Sequence, residues 1–216
     1  MARAAGHRAQ GAGARLITSH GLAEEVLIRT LSLCDLPGVM EVQRSAYPDG
    51  LIEPAASFAR KLEIWPEGAR GAFDGDVLAG YLFCHPWPTG TVAPFGSKRI
   101  VIPTAKADLF IHDLAVRPER RGVGIASLLV REAVAMAAAH RLSRCALVAV
   151  LDARPFWERL SFRPVCEIGY GAGERGWYMV MDLPASPPLV RNGSTDPWTA
   201  APYADDVRSQ NLPYSD

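Results

Sequence analysis

One stretch in the middle of the chain constrains its fold more than any other: His112 to Leu129, reading HDLAVRPERRGVGIASLL. An apolar run ends at Val116, an arginine-rich turn follows, and Arg121-Gly122-Val123-Gly124-Ile125-Ala126 opens a long amphipathic segment. There Leu129, Val130, Ala133, Val134 and Ala137 fall on one helical stripe, with Arg131 and Glu132 off it. The pattern predicts a strand, a tight glycine turn and a helix over Gly122–His140. The first turn of such a helix offers unpaired N–H groups and the positive end of the macrodipole. Glycines there let an anion approach the backbone with no Cβ in the way. By themselves the two glycines also describe a plain tight turn. A P-loop would need Lys-Ser/Thr after the second glycine, where Ile125-Ala126 stand. A dinucleotide fingerprint would follow the first strand and meet an acidic residue about 20 positions on, where Leu142-Ser143-Arg144-Cys145 lies instead.

The flanking segments supply the rest of an α/β layout. Val26–Leu31 reads as a strand, and Asp35 can cap a helix carrying Val39, Met40 and Ala46 at helical spacing. Glu53-Pro54 opens a second helical stretch through Ile64. Ala72-Phe73 and Val77–Cys84, joined by Asp74-Gly75-Asp76, predict a hairpin. Residues 85–107 read as a long Pro/Gly loop, which in a compact domain usually serves as a lid or wall. Strands are expected at Asp108–Val116 and Cys145–Leu151, a short helix at Ala153–Leu160, and closing strands at Phe162–Ile168 and Trp177–Leu183. The order β-α-α-β-β-β-α-β-α-β-β winds around one mixed sheet.

Composition narrows the function classes. The chain's 216 residues suit one core and are few for two. Lys+Arg and Asp+Glu both total 23, so nothing favours non-specific binding to nucleic acid phosphates. No window approaches the roughly 20 apolar residues that span a bilayer, so no membrane partner is expected. Cys34, Cys84, Cys145 and Cys166 show no C-x-x-C spacing, which reads as free thiols in a reducing, cytoplasmic setting. Residues 1–24 are Ala/Gly/Arg-rich and read as a flexible extension, and the proline-rich residues 184–216 as a disordered tail. Function is therefore sought in residues 25–183.

Within that region, Arg121, Gly124 and Ala126, following Leu114-Ala115-Val116, resemble the R-x-x-G-x-A acyl-CoA signature of the GNAT superfamily of N-acetyltransferases. About 30 residues on, Pro155-Phe156-Trp157-Glu158-Arg159-Leu160-Ser161-Phe162 resembles that superfamily's F-Y-x-x-x-G-F helix. The resemblance implies an α/β fold with one mixed, mostly antiparallel sheet splayed at its central strands and flanked by helices. It implies that the pantetheine of acetyl-CoA pairs with the backbone of Leu114, Ala115 and Val116. Beside Arg121, the diphosphate would rest on the N–H groups of Gly122, Val123, Gly124, Ile125, Ala126 and Ser127. The implied reaction is direct attack of a neutral primary amine on the acetyl thioester, with a strand N–H near Leu114 holding the oxyanion. No metal is called for. His112-Asp113-Leu114-Ala115-Val116 also resembles the arylalkylamine branch of that superfamily, from which Phe110 and Trp157 depart where a histidine and a tyrosine would stand.

Strand alternation puts Phe110, His112 and Leu114 on one face and Ile111, Asp113 and Ala115 on the other. His112, with an ordinary pKa near neutrality, is the expected catalytic base for an ammonium substrate, against the plainer role of a satisfied core histidine. An indole cannot protonate a thiolate, so Trp157 is read as wall, with Tyr170 and Tyr178 as possible substitutes. Trp65, Trp87 and Phe95 are candidate pocket aromatics. Tyr47, Asp49 and Glu53 lie between the first two helices, where the resemblance implies an acceptor wall, although exposed capping is the simpler reading. The 85–107 loop favours a small-molecule acceptor over a peptide N-terminus. A non-catalytic acyl-CoA sensor or partner module, a peptide N-acetyltransferase and a homodimer all stay open.

Overall fold

A computed structural model describes residues 12–17, 23–97, 99–103, 106–171 and 173–184. Its elements are β1 (Ala12–Ile17), β2 (Ala23–Thr30), α1 (Leu36–Ala46), α2 (Ala55–Ile64), β3 (Ala69–Asp74), β4 (Val77–Pro88), β5 (Ala107–Val116), α3 (Ile125–Ala139), β6 (Arg144–Ala149), α4 (Arg154–Arg159), β7 (Arg163–Tyr170) and β8 (Glu174–Asp182). The strands form one sheet in the order β1-β2-β3-β4-β5-β6-β8-β7. Every neighbouring pair is antiparallel except β5 and β6, so the sheet is mixed and mostly antiparallel as expected.

Helix α3 lays Ile125, Leu129, Val130, Ala133, Met136 and Ala137 on one face of the sheet, against Leu82, Cys84, Leu109, Ile111, Cys145 and Leu147. Each large apolar side chain buried there contributes about 1.5–3 kcal/mol. On the opposite face α1 and α2 pack Val39, Val42, Phe58 and Leu62 onto Tyr81, Phe83 and Ala115. Farther along that face, among the described residues, no helix packs on the sheet. Trp87, Val92 and Ala93, from the end of β4 and the loop after it, cover Phe110, Ala146 and Tyr178 instead.

The structure differs from the sequence reading in four places. Six residues of the expected N-terminal extension, Ala12–Ile17, form an edge strand paired with β2, and the rest of residues 1–22 lies outside the described residues. Strand β4 continues through His85-Pro86-Trp87-Pro88, which leaves the loop only residues 89–106. Its pairing with β3 ends at Phe83 while pairing with β5 runs to Pro88, so the missing proline N–H groups face a free edge. Helix α3 starts at Ile125 because Gly122 and Gly124 have φ of 80° and 95°, which α-helix cannot use. Asp35 turns away from α1: its carboxylate takes the Ser32 N–H at 2.8 Å and both prongs of Arg29 at 2.6 and 2.9 Å. The proline-rich tail beyond Pro184 lies outside the described residues.

Candidate active site

Strands β5 and β6 pair only from Leu109↔Cys145 to Ile111↔Leu147. Beyond that point β5 runs on to Val116 and β6 to Ala149 without pairing, and the two splay apart. The gap opens a cavity of about 760 Å³. One end is lined by Arg120, Arg121, Gly122 and Gly124 from the turn and by Ile125–Ser127 at the head of α3. The middle is lined by Leu114–Val116 on one strand and by Leu147, Val148 and Trp157 opposite. The expected cofactor-binding residues thus converge on one wall, except Val123, whose side chain packs onto the core beneath α3. A Cβ on Gly122 would meet no atom within 4 Å, so this backbone faces open space where an anion can approach.

The other end of the cavity is lined by Tyr47, Leu51, Glu53, Phe95, Asp113 and Tyr170. Its geometry depends on a β-bulge. Phe83 pairs with Asp113 and Cys84 with Ile111, so His112 is the extra residue on β5. The bulge breaks the expected alternation. Ile111, Leu114 and Val116 all face α3, whereas Asp113 and His112 both turn toward α1 and α2. Asp113 accepts from the Tyr47 and Tyr81 hydroxyls, each at 2.8 Å, and the Tyr47 hydroxyl also lies 2.8 Å from the Leu114 carbonyl oxygen.

Glu53, read from sequence as an exposed cap, is buried. Its carboxylate accepts from Ser57 Oγ at 2.5 Å and twice from Lys61 Nζ, at 2.8 and 3.0 Å, and its Oε1 lies 3.1 Å from His112 Nε2. Gln43 clamps the Glu53 backbone, accepting its N–H at 2.7 Å and donating to its carbonyl at 3.1 Å. Burial alone would raise the Glu53 carboxyl, but His112 and Lys61 beside it hold it well below the usual carboxylate range. Burial, and then the Lys61 charge, lower His112 below its ordinary value. The cluster is therefore an ionised Glu53–Lys61 pair beside an imidazole whose charged form burial disfavours. The His112 side chain is 0% exposed beside Glu53, and the residue contributes to the cavity wall. Asp113 titrates differently: burial and then the Glu53 charge raise it to about 6.

The remaining candidates separate. Tyr170 lines the cavity with its ring edge-on to Phe95, centroids 5.6 Å apart. Tyr178 sits in the loop-covered cluster outside the cavity, its hydroxyl buried and pushed up to about 12 by that burial. Trp157 lines the wall between Phe156 and Phe162. Trp65 packs tilted against His140 and Trp87 edge-on against His85, and neither tryptophan lines the cavity. Sequence reasoning missed Ser57, Lys61, Tyr81 and His85; a lysine inside a strongly amphipathic helix was the only available signal, and solvated lysines look the same. Among the described residues no three His, Cys, Asp or Glu side chains are grouped to hold a metal ion, and no helix is long and apolar enough to cross a membrane.

A splayed parallel pair, a glycine-turned helix head and a bulged central strand are the features that set this α/β fold apart. The chain belongs to the Acetyltransferase (GNAT) family, whose model it matches over residues 36–162. No curated protein matches it. Among solved structures it is similar to the loading GNATL domain of CurA from Lyngbya majuscula, at 11% identity over 73% of this chain and 97% of that one, TM-score 0.66. It is also similar to Ard1 from Thermoplasma volcanium, at 14% identity over 73% and 97%, TM-score 0.60. The ribosomal-protein-S18-alanine N-acetyltransferase from Escherichia coli aligns at 14% identity over 76% and 98%, TM-score 0.57. At these identities the likeness is one of fold.

Proposed function

We propose that this protein transfers acetyl from acetyl-CoA to the primary amine of a small molecule by direct attack on the thioester. The observation that carries the reading is the continuous cavity from the Gly122–Ser127 helix head, through the β5/β6 gap, to a second chamber lined by aromatic and acidic side chains. The helix N–H groups and the Arg120 and Arg121 side chains would hold the diphosphate. The β5 edge at Leu114, Ala115 and Val116, paired with β4 on one side and left without β6 on the other, would receive the pantetheine amides. A β5 N–H near Leu114 would stabilise the oxyanion. The second chamber would take the amine. Phe95, on the loop after β4, walls that chamber, which favours a small acceptor over a peptide N-terminus.

Gly124→Asp tests the cradle. Aspartate there must adopt a φ near 95° and carries its charge to the diphosphate site. Calorimetry should show loss of acetyl-CoA binding by about 100-fold or more, with the fold intact by circular dichroism. Unchanged affinity would rule the cradle out.

A further inference from the structure

We propose that Tyr47 and Asp113 form a proton relay that removes the proton from the acceptor's ammonium, with Tyr47 touching the substrate and Asp113 keeping the proton. The inference rests on the acyl-transfer reading and assigns its base.

Charge counting leads to Asp113. In the buried cluster Glu53 is matched by Lys61, and burial disfavours the charged form of His112. Asp113 is different: its carboxylate oxygens meet only the neutral hydroxyls of Tyr47 and Tyr81, and among the described residues no ion pair joins it. A half-buried carboxylate with no ion pair of its own, at the acceptor end of a cavity, is complementary to an ammonium group. Burial and Glu53 also raise its affinity for a proton to one suited to a base at neutral pH. The groups around it are Tyr47 at the end of α1, Tyr81 on β4, Glu53 between α1 and α2, Lys61 on α2 and His112 on β5. Of these, Lys61 lowers it together with the two hydroxyls.

Hydrogen counting leads to Tyr47. Its single hydroxyl proton faces two acceptors at 2.8 Å, Asp113 Oδ1 and the Leu114 carbonyl. With Asp113 ionised, one acceptor goes without. With Asp113 protonated, its O–H donates to Tyr47 Oη, the Tyr47 O–H donates to Leu114, and both contacts are satisfied. The hydroxyl is thus a rotor between two arrangements that differ by one proton on Asp113. In the step, an ammonium N–H bond breaks toward Tyr47 Oη as the Tyr47 proton passes to Asp113 Oδ1. The products are a neutral amine, an intact phenol and a carboxylic acid. After attack on the thioester, the second nitrogen proton neutralises the departing CoA thiolate. Asp113 returns its proton to water when the cavity empties.

The test is kcat/KM against pH from 5 to 9.5, using the best amine found in an acetyl-CoA thiol-release screen, with acetyl-CoA affinity measured in parallel. Wild type should lose activity as pH falls through about 6, where Asp113 protonates. Asp113→Asn should lower kcat/KM at pH 7 by about 10²–10⁴. It should also erase that acid limb, leaving a rate that climbs only with the free amine. Tyr47→Phe keeps the carboxylate, and should lower the rate by at least about tenfold while retaining the limb. Acetyl-CoA affinity should stay within about twofold in both. An Asp113→Asn enzyme with the wild-type limb, or a Tyr47→Phe enzyme at wild-type rate, overturns the relay and leaves the acyl-transfer reading standing. A wild type that binds acetyl-CoA yet acetylates no amine overturns that reading and the relay with it.

Discussion

Ser161 occupies the position where the F-Y-x-x-x-G-F pattern has glycine, and its φ is 70°. A side chain in that region costs about 1–2 kcal/mol, part of which glycine returns through its freer unfolded chain. Ser161 is exposed, so little packing would be lost. Ser161→Gly should therefore stabilise the fold by about 0.5–1 kcal/mol in urea unfolding, and a destabilised variant would mean its hydroxyl has a partner worth more than the strain. Residues such as this one were readable because motif and structure share local numbering. Asp113 was not. Its partners Tyr47 and Tyr81 lie 66 and 32 positions away, and no local pattern announces such a meeting. Glu53 was misread for the same reason, since a carboxylate ahead of a helix looks like a cap until Lys61 and His112 close on it.

At the scale of elements, the α3 helix, its glycine turn and the hairpin at Asp74-Gly75-Asp76 were legible because periodicity and turn chemistry are local. The bulge on β5 was not, because it consists of one residue in excess against β4, and only pairing reveals it. That residue changes the site. Without it Asp113 would face α3 and His112 would lie on the opposite side. The loop after β4 was recognised as a wall, though the prolines of β4 made it look longer than it is. Phe95 on that loop meets Tyr170 at the acceptor end of the cavity. Phe95→Ala should thus raise the acceptor KM by about tenfold, as for the loss of roughly 1.4 kcal/mol of apolar contact. The acetyl-CoA dissociation constant should not move. A parallel loss of acetyl-CoA affinity would show that the loop holds the donor as well.

For the whole molecule, the splayed sheet exposes buried polar groups near the centre of the fold, and acid should reveal them. Burial holds His85 at about 3, well below its usual 6.5, so it folds as the neutral ring. Stability from that group is complete above pH 6.5 and is lost as pH falls toward 3. Asp113 works in the other direction, since a carboxyl raised to about 6 binds its proton more tightly when folded. Comparing wild type with His85→Phe isolates the histidine, because both proteins keep Asp113. Between pH 7 and 4 wild type should lose more stability than the variant, by on the order of 2 kcal/mol, and equal losses would mean that His85 is hydrated in the folded state. The central claim concerns chemistry, and one measurement reaches it directly. Purified protein is given acetyl-CoA with a panel of small primary amines, including arylalkylamines and polyamines, and with peptides bearing free N-termini, and thiol release is followed. Steady turnover with a small amine, and none with peptides, is the expected result. Turnover with peptides alone, or none with any acceptor while acetyl-CoA still binds, would contradict the account.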